Sequence, residues 1–229
     1  GFKYHVLRTD ISSFFESIPH DRILKKLKED QLLSQKSLRL ISGILFRYAR
    51  LAGTPGIGLP RGLGISSYLS ELYMREFDQH IKMLGEVVFY ARYVDDIVIL
   101  FAPLPGADVR VKRPKIRDYL SDISLTMNET AQKTKESPVD SQGIPDAKNA
   151  WNFEYLGYLI DFRSGLSVSM SRKRFARYKN RLSACFQRYE SQRSKNHKKA
   201  YRILIKRVRF LTSNTQLTHN KSNAYVGIY

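Results

Sequence analysis

The sequence predicts an α+β protein that ends in a basic helical segment, and three observations carry that prediction. Two short apolar, β-branched runs bracket an acidic pair near the middle of the chain. Apolar residues recur at helical spacing before and after those runs. Beyond Met170 the composition turns strongly cationic while keeping a helical character.

Taken in order, Tyr4 to Leu7 reads as a short strand leading into Asp10. His20-Asp-Arg-Ile-Leu-Lys-Lys-Leu opens a helix, because Ile23, Leu24 and Leu27 share one face, and Leu38 to Tyr48 reads as another. The thirteen residues from Ala52 to Gly64 hold five glycines and two prolines, which makes them a loop. Ile65 to Lys82 has the apolar rhythm of a long helix, and a glycine-rich loop feeding a helix can bring backbone close to phosphate or base. Val87 to Arg92 and Ile97 to Phe101 are the two β-branched runs. Tyr93-Val-Asp-Asp joins them as a hairpin whose acidic pair sits at the exposed turn.

A helix over Lys115 to Asp122, a strand over Ser124 to Met127 and a mobile polar loop from Ser137 to Asn149 are expected next. Phe153 to Phe162 and Leu166 to Met170 read as a second hairpin around Arg163-Ser-Gly. Residues 172 to 209 then carry fifteen Lys and Arg against one acid, Glu190, so a domain boundary is placed near residue 170, dividing the chain into 1–170 and 171–229.

At 229 residues and 42% hydrophobic content the chain can bury one sizeable core or two small ones. Its single cysteine, Cys185, excludes an internal disulfide and a clustered thiolate metal site, which fits a reducing compartment, by default the cytoplasm. There is no 18-residue apolar run and no signal-like N-terminus, so no membrane span is expected. A net charge of +18 asks for a polyanionic partner.

Transfer of a nucleotidyl group needs two divalent ions about 3.5–4 Å apart, and therefore several carboxylates on rigid neighbouring strands. Asp10 at a strand end and Asp95-Asp96 at a hairpin tip meet that need if the strands are adjacent. An isolated Asp-Asp is more often a solvated turn. That alternative leaves the apolar flanks, the preceding Tyr93-Val and the aromatic pair after Asp10 unexplained.

Five stretches in order resemble the palm motifs of reverse transcriptases. Thr9-Asp-Ile-Ser-Ser-Phe-Phe-Glu-Ser-Ile resembles motif A, Gly58-Leu-Pro-Arg-Gly-Leu-Gly-Ile-Ser motif B, and Phe89-Tyr-Ala-Arg-Tyr-Val-Asp-Asp motif C. Leu125 to Lys135 is similar to motif D, and Phe153-Glu-Tyr-Leu-Gly-Tyr-Leu to the primer-grip motif E. The resemblance implies a right-hand polymerase palm, an antiparallel sheet backed by helices, followed by a basic helical thumb. The fingers are largely absent from this chain and are expected upstream of Gly1.

The resemblance also assigns roles. Asp10 and Asp95 would bridge two Mg²⁺ ions, with Mn²⁺ as the alternative; the Ile11 carbonyl would bind the triphosphate-side ion, and Asp96 would complete the acidic cluster. Phe15 matches the ring that selects deoxynucleotides, with a core aromatic as the other reading. Arg61 stands where many relatives have Gln and would contact nucleotide, template or phosphate, while Gly62 would admit the base pair. Lys135 matches the motif D lysine that protonates the leaving pyrophosphate, against a solvated loop lysine.

Tyr93, Gly157 and Tyr158 would meet the primer, although Gly157 and Tyr158 also suit a β-turn or a core. Arg172, Arg174, Lys179 and Arg181, interleaved with aromatics, would meet a duplex backbone, with an anionic membrane surface as the competing use. The implied partners are an RNA template, a DNA primer or product, and deoxynucleoside triphosphates. The phrase from Gly58 to Asp78 and Phe210-Leu-Thr-Ser-Asn-Thr look most like bacterial antiphage-defence and abortive-infection reverse transcriptases, implying a bacterial cytoplasm and a dedicated noncoding RNA. A template-independent DNA polymerase on the same palm and a catalytically silent RNA-binding scaffold are the alternatives. The sequence leaves the oligomeric state open.

Overall fold

The structure, a computed structural model, describes residues 4–31, 33–146, 151–162, 166–212, 215–216 and 225–226. Its elements run β1 (His5–Asp10), α1 (Phe14–Ser17), α2 (His20–Glu29), α3 (Gln35–Ala52), α4 (Gly64–Lys82), β2 (Val87–Tyr93), β3 (Asp96–Phe101), α5 (Lys112–Asp122), β4 (Lys135–Glu136), β5 (Asn152–Tyr155), β6 (Tyr158–Asp161), β7 (Ser167–Met170), α6 (Arg172–Arg193), α7 (His197–Thr212), β8 (Thr215–Gln216) and β9 (Tyr225–Val226). The chain divides into two compact units, residues 1–155 with 161–166, and residues 156–160 with 167–229.

In the first unit the strands form one sheet in the order β2-β3-β1-β4, antiparallel throughout. β1 is central and buried at all six positions. That explains why it extends to Asp10, past the Tyr4–Leu7 strand expected: a strand covered on both faces needs no alternation. The same central place lets it pair with β3 from His5↔Phe101 to Asp10↔Asp96.

Leu7, Ile97 and Ile99 pack with Ile23 and Leu27 of α2, Leu45 of α3, and Leu69, Met74, Phe77 and Ile81 of α4 in a single apolar core. Each buried set repeats every three or four residues, as one helix face requires. α3 is longer than the sequence reading because both of its ends are capped. The Ser34 hydroxyl accepts from the Ser37 amide, and Gly53 closes the other end at φ 69°.

Three local expectations change. Ser124–Met127 is not a strand: Ser124 turns at φ 59°, the Leu125 amide returns to the Leu120 carbonyl, and only Met127 bridges β-fashion to Ile11. The described part of the polar loop, 137–146, is hydrogen-bonded rather than loose. The Asp140 carboxylate accepts from the Gln142 and Ile144 amides, and the Ser137 hydroxyl accepts from the Val6 amide.

The third change concerns the second hairpin. Phe153–Phe162 itself turns at Leu156 and Gly157, both at positive φ, so β5, β6 and β7 form a three-stranded sheet in that order. The expected turn at Arg163-Ser-Gly lies outside the described residues. The longer stretch of the second unit begins at Ser167. In the second unit, α6 and α7 are joined by residues 194–196 and pack through Cys185, Leu204 and Leu211, with Tyr178, Leu182 and Tyr189 alongside. Among the described residues no helix is long and apolar enough to cross a membrane.

Candidate active site

The strand register builds the site. Asp10, the last residue of β1, stands opposite Asp96, the first residue of β3, and Tyr93 pairs with Asp96 across a two-residue turn made of Val94 and Asp95. Three carboxylates from distant parts of the sequence therefore meet at one end of the sheet. Val94 sits at φ 59°, a conformation that a β-branched residue adopts at a cost of about 1–3 kcal/mol. The turn is held from both sides: the Ile11 amide donates to the Asp95 carbonyl at 3.0 Å, and Arg92 Nη1 donates to the Val94 carbonyl at 3.0 Å.

Burial pushes the Asp95 carboxyl above its ordinary range, and the nearby charges of Asp10 and Asp96 add to the rise against the opposing Lys133. Asp10 is nearly enclosed, at 4% exposed, and both its oxygens are engaged. Asn128 Nδ2 donates to Oδ1 at 3.2 Å and Lys133 Nζ donates to Oδ2 at 2.8 Å. Asp96 Oδ1 accepts from Arg8 Nη2 at 2.5 Å, and Arg8 Nη1 donates to the Lys133 carbonyl. Three carboxylates crowded together, one of them resisting ionisation, make an all-oxygen donor set that suits a hard divalent cation such as Mg²⁺. Among the described residues no group of three or more His, Cys, Asp and Glu side chains is arranged to hold a metal ion, and Asp10 and Asp96 are paired with Lys133 and Arg8.

The residues around this end fall into place unevenly. Phe14 is 2% exposed in the core, whereas Phe15 is half-buried at its edge, the two rings meeting edge to face at 5.5 Å. The loop before α4 is stitched to this segment: the Leu59 amide donates to the Phe15 carbonyl at 2.7 Å and the Gly58 amide to the Ile18 carbonyl at 2.9 Å. Gly62 takes φ 83°. Arg61 is exposed and forks onto Glu16, Nε to Oε1 at 2.5 Å and Nη2 to Oε2 at 3.0 Å. Arg61 thereby holds the Glu16 carboxyl below its ordinary range. Tyr93 is exposed beside the turn, and Ile11 is buried against Met127.

Lys135 lies half-buried in β4 opposite Arg8, and the ammonium on Asp10 belongs to Lys133, two residues earlier. In the second unit Gly157, Tyr158 and Arg174 come together. The Arg174 guanidinium lies 4.4 Å from the Tyr158 ring centroid and its Nη1 donates to the Leu156 carbonyl at 3.2 Å; a methyl group on Gly157 would meet Arg174 Cδ at 2.9 Å. Arg172, Lys179 and Arg181 are exposed on α6, Lys179 Nζ lying 5.6 Å from the centroid of the Phe175 ring.

Arg8, Asn128, Lys133 and Arg92 are the site residues that the sequence reading passed over. Arg8 had a signal, since it lies two residues before Asp10 and so on the same face of the strand. Arg92 had one as well, a cation inside an otherwise apolar strand. Asn128 and Lys133 sit in an irregular segment where spacing says nothing of direction.

Compared with known proteins, residues 3–160 match the family model for reverse transcriptase (RNA-dependent DNA polymerase). No curated protein matches the sequence. Among solved structures the chain is similar to apo telomerase from Candida tropicalis, with a TM-score of 0.55 and 15% identity over 82% of this chain and 37% of that one. The same telomerase truncated from its C-terminal domain aligns at a TM-score of 0.48 and 11% identity over 73% of this chain and 35% of that one. The chain thus spans little more than a third of the solved telomerase chain. The likeness in fold and the register that brings Asp10 opposite Asp96 agree with a family match over well more than half the sequence: the chain belongs to the reverse transcriptase family.

Proposed function

We propose that the chain is the catalytic part of an RNA-directed DNA polymerase, with residues 1–170 as palm and 171–229 as thumb. The observation that supports it most is the convergence of Asp10, Asp95 and Asp96 at one sheet end. In the reaction a primer 3′-hydroxyl, or a protein hydroxyl, forms a bond to the α-phosphorus of a deoxynucleoside triphosphate. The bond from that phosphorus to the bridging oxygen breaks, and pyrophosphate leaves.

Asp10 and Asp95, with the Ile11 carbonyl, are the residues that would hold two Mg²⁺ or Mn²⁺ ions; such ions, when bound, supply the positive charge that activates the attacking oxygen and screens the leaving group. Asp96 keeps the cluster acidic. Phe15 lies under the sugar and rejects a 2′-hydroxyl, and Arg61 exchanges Glu16 for a phosphate of the incoming nucleotide. Lys133 and Lys135 offer ammonium groups for the departing pyrophosphate. Tyr93 in the first unit is a primer contact, Gly157, Tyr158 and Arg174 are primer contacts of the second, and the exposed cations of α6 follow the duplex backbone. The phrases in the loop before α4 and at Phe210 carry the narrower reading: antiphage defence in a bacterial cytoplasm, templated by a dedicated noncoding RNA.

One observation favours the silent RNA-binding scaffold as a second reading. Asp10 and Asp96 already have cationic partners in Lys133 and Arg8. The protein, with any copurified RNA retained, is incubated with Mg²⁺ and labelled deoxynucleotides, and the DNA is sequenced. DNA complementary to an RNA, abolished by Asp95→Asn while RNA binding survives, is the expected result. Product without a complement indicates untemplated synthesis, incorporation that persists in Asp95→Asn removes the site assignment, and no product moves the reading to the scaffold.

A further inference from the structure

We propose that Arg92 is a positioning residue for the turn that carries Asp95, tying the Val94 carbonyl to two carboxylates of α4 so that this helix sets where Asp95 stands. The proposal rests on the reading of Asp95 as catalytic. A guanidinium has five N–H donors in a fixed plane, and Arg92 uses every one. Nε donates to Asp78 Oδ1 at 2.8 Å; Nη2 donates to Asp78 Oδ2 and Glu71 Oε2, each at 2.7 Å; Nη1 donates to Glu71 Oε1 and to the Val94 carbonyl, each at 3.0 Å.

The side chain is only 4% exposed, and the Tyr90 hydroxyl donates to Asp78 Oδ1 at 2.6 Å, so the partners are themselves held. Glu71 and Asp78 are seven residues apart, two turns along one face of α4. Four of the five bonds would suffice to attach strand β2 to the helix. The fifth reaches past the strand to the carbonyl of Val94, the turn residue held at positive φ. With the Asp95 carbonyl fixed by the Ile11 amide, the carbonyls of both turn residues are then pinned. α4 begins at Gly64, two residues after Gly62, so the loop read as nucleotide-facing and the acidic turn hang on the same helix.

The test substitutes Arg92→Lys, which keeps the charge but has too few donors and no fork. Two readouts are followed: exchange of the Ile11 amide proton, which reports the Asp95 carbonyl without any need for activity, and DNA synthesis resolved into kcat and KM. Arg92→Lys should speed Ile11 exchange about tenfold or more and lower kcat by about 30-fold, with the nucleotide KM within about threefold, as expected when an interaction orients the reacting groups. Adding Val94→Gly, which removes the backbone penalty the clamp opposes, should recover kcat by about fivefold and restore part of the Ile11 protection.

If Arg92→Lys does not fold, Glu71→Gln, which loosens one anchor at a partly exposed residue, should show the same two effects at smaller size. Unchanged Ile11 exchange in a folded Arg92→Lys or Glu71→Gln variant, or a kcat loss that Val94→Gly leaves untouched, overturns the proposal and reduces Arg92 to a strand-to-helix attachment. A wild-type protein without Asp95-dependent synthesis overturns the functional reading instead, and the Ile11 exchange still decides whether Arg92 fixes the turn.

Discussion

Phe14 and Phe15 are neighbours in sequence with different surroundings, one enclosed in the core and one half-buried at its edge. Only the second can offer a ring face to a sugar. Replacing it, Phe15→Ala, should leave deoxynucleotide incorporation in place and raise ribonucleotide incorporation at least about tenfold, since a steric clash is lost rather than a bond. Competition between labelled ribo- and deoxynucleotides measures it, and unchanged sugar discrimination would remove the role. At this scale the three carboxylates were legible because a strand end and a hairpin tip fix a side chain's position from pattern alone. Lys133 was not, because residues 131–133 form a turn and the strand regularity of β4 begins only at Lys135. Which of two nearby lysines returns to Asp10 depends on that turn's dihedrals, and no periodicity encodes them.

Among the elements, the β5–β6 turn puts two successive residues, Leu156 and Gly157, at positive φ. Gly157 at φ 80° would carry a methyl group into Arg174, so Gly157→Ala should destabilise the turn by about 1 kcal/mol or more through both strain and crowding. The Ser171 amide, which donates to the Gly157 carbonyl at 3.0 Å, should exchange several-fold faster, and unchanged exchange would refute the crowding. Helices α2, α3 and α4 were readable because each buries one periodic face, and the β2–β3 hairpin because two β-branched runs flank a short acidic turn. Ser124–Met127 alternates as a strand would, but its alternation serves a single bridge to Ile11 and a turn out of α5. The hairpin at Leu156-Gly157 was half legible: Gly157 suits a β-turn, but a leucine at positive φ gives no turn signal.

Across the whole molecule, charge is the property sequence gives most directly, and its distribution is the property structure refines. Arg174 is engaged by Tyr158 and Leu156, while Arg172, Lys179 and Arg181 face solvent. Removing these three should therefore weaken RNA–DNA duplex binding evenly across sequences and flatten the dependence of log affinity on log salt by about 0.9 per cation, which a salt titration of binding would read. An unchanged slope would place the duplex elsewhere. Composition places a break near residue 170, where the cations begin; by compactness the second unit takes in residues 167–229 together with 156–160. The ion pairs at the sheet end have a consequence for how such a chain takes up metal. With Lys133 on Asp10 and Arg8 on Asp96, two of the three crowded carboxylates bring their own counter-ions. On the function proposed above, a divalent ion arriving at Asp10 and Asp95 would have to displace the Lys133 ammonium, so loading would be an exchange of one cation for another rather than the filling of bare charge.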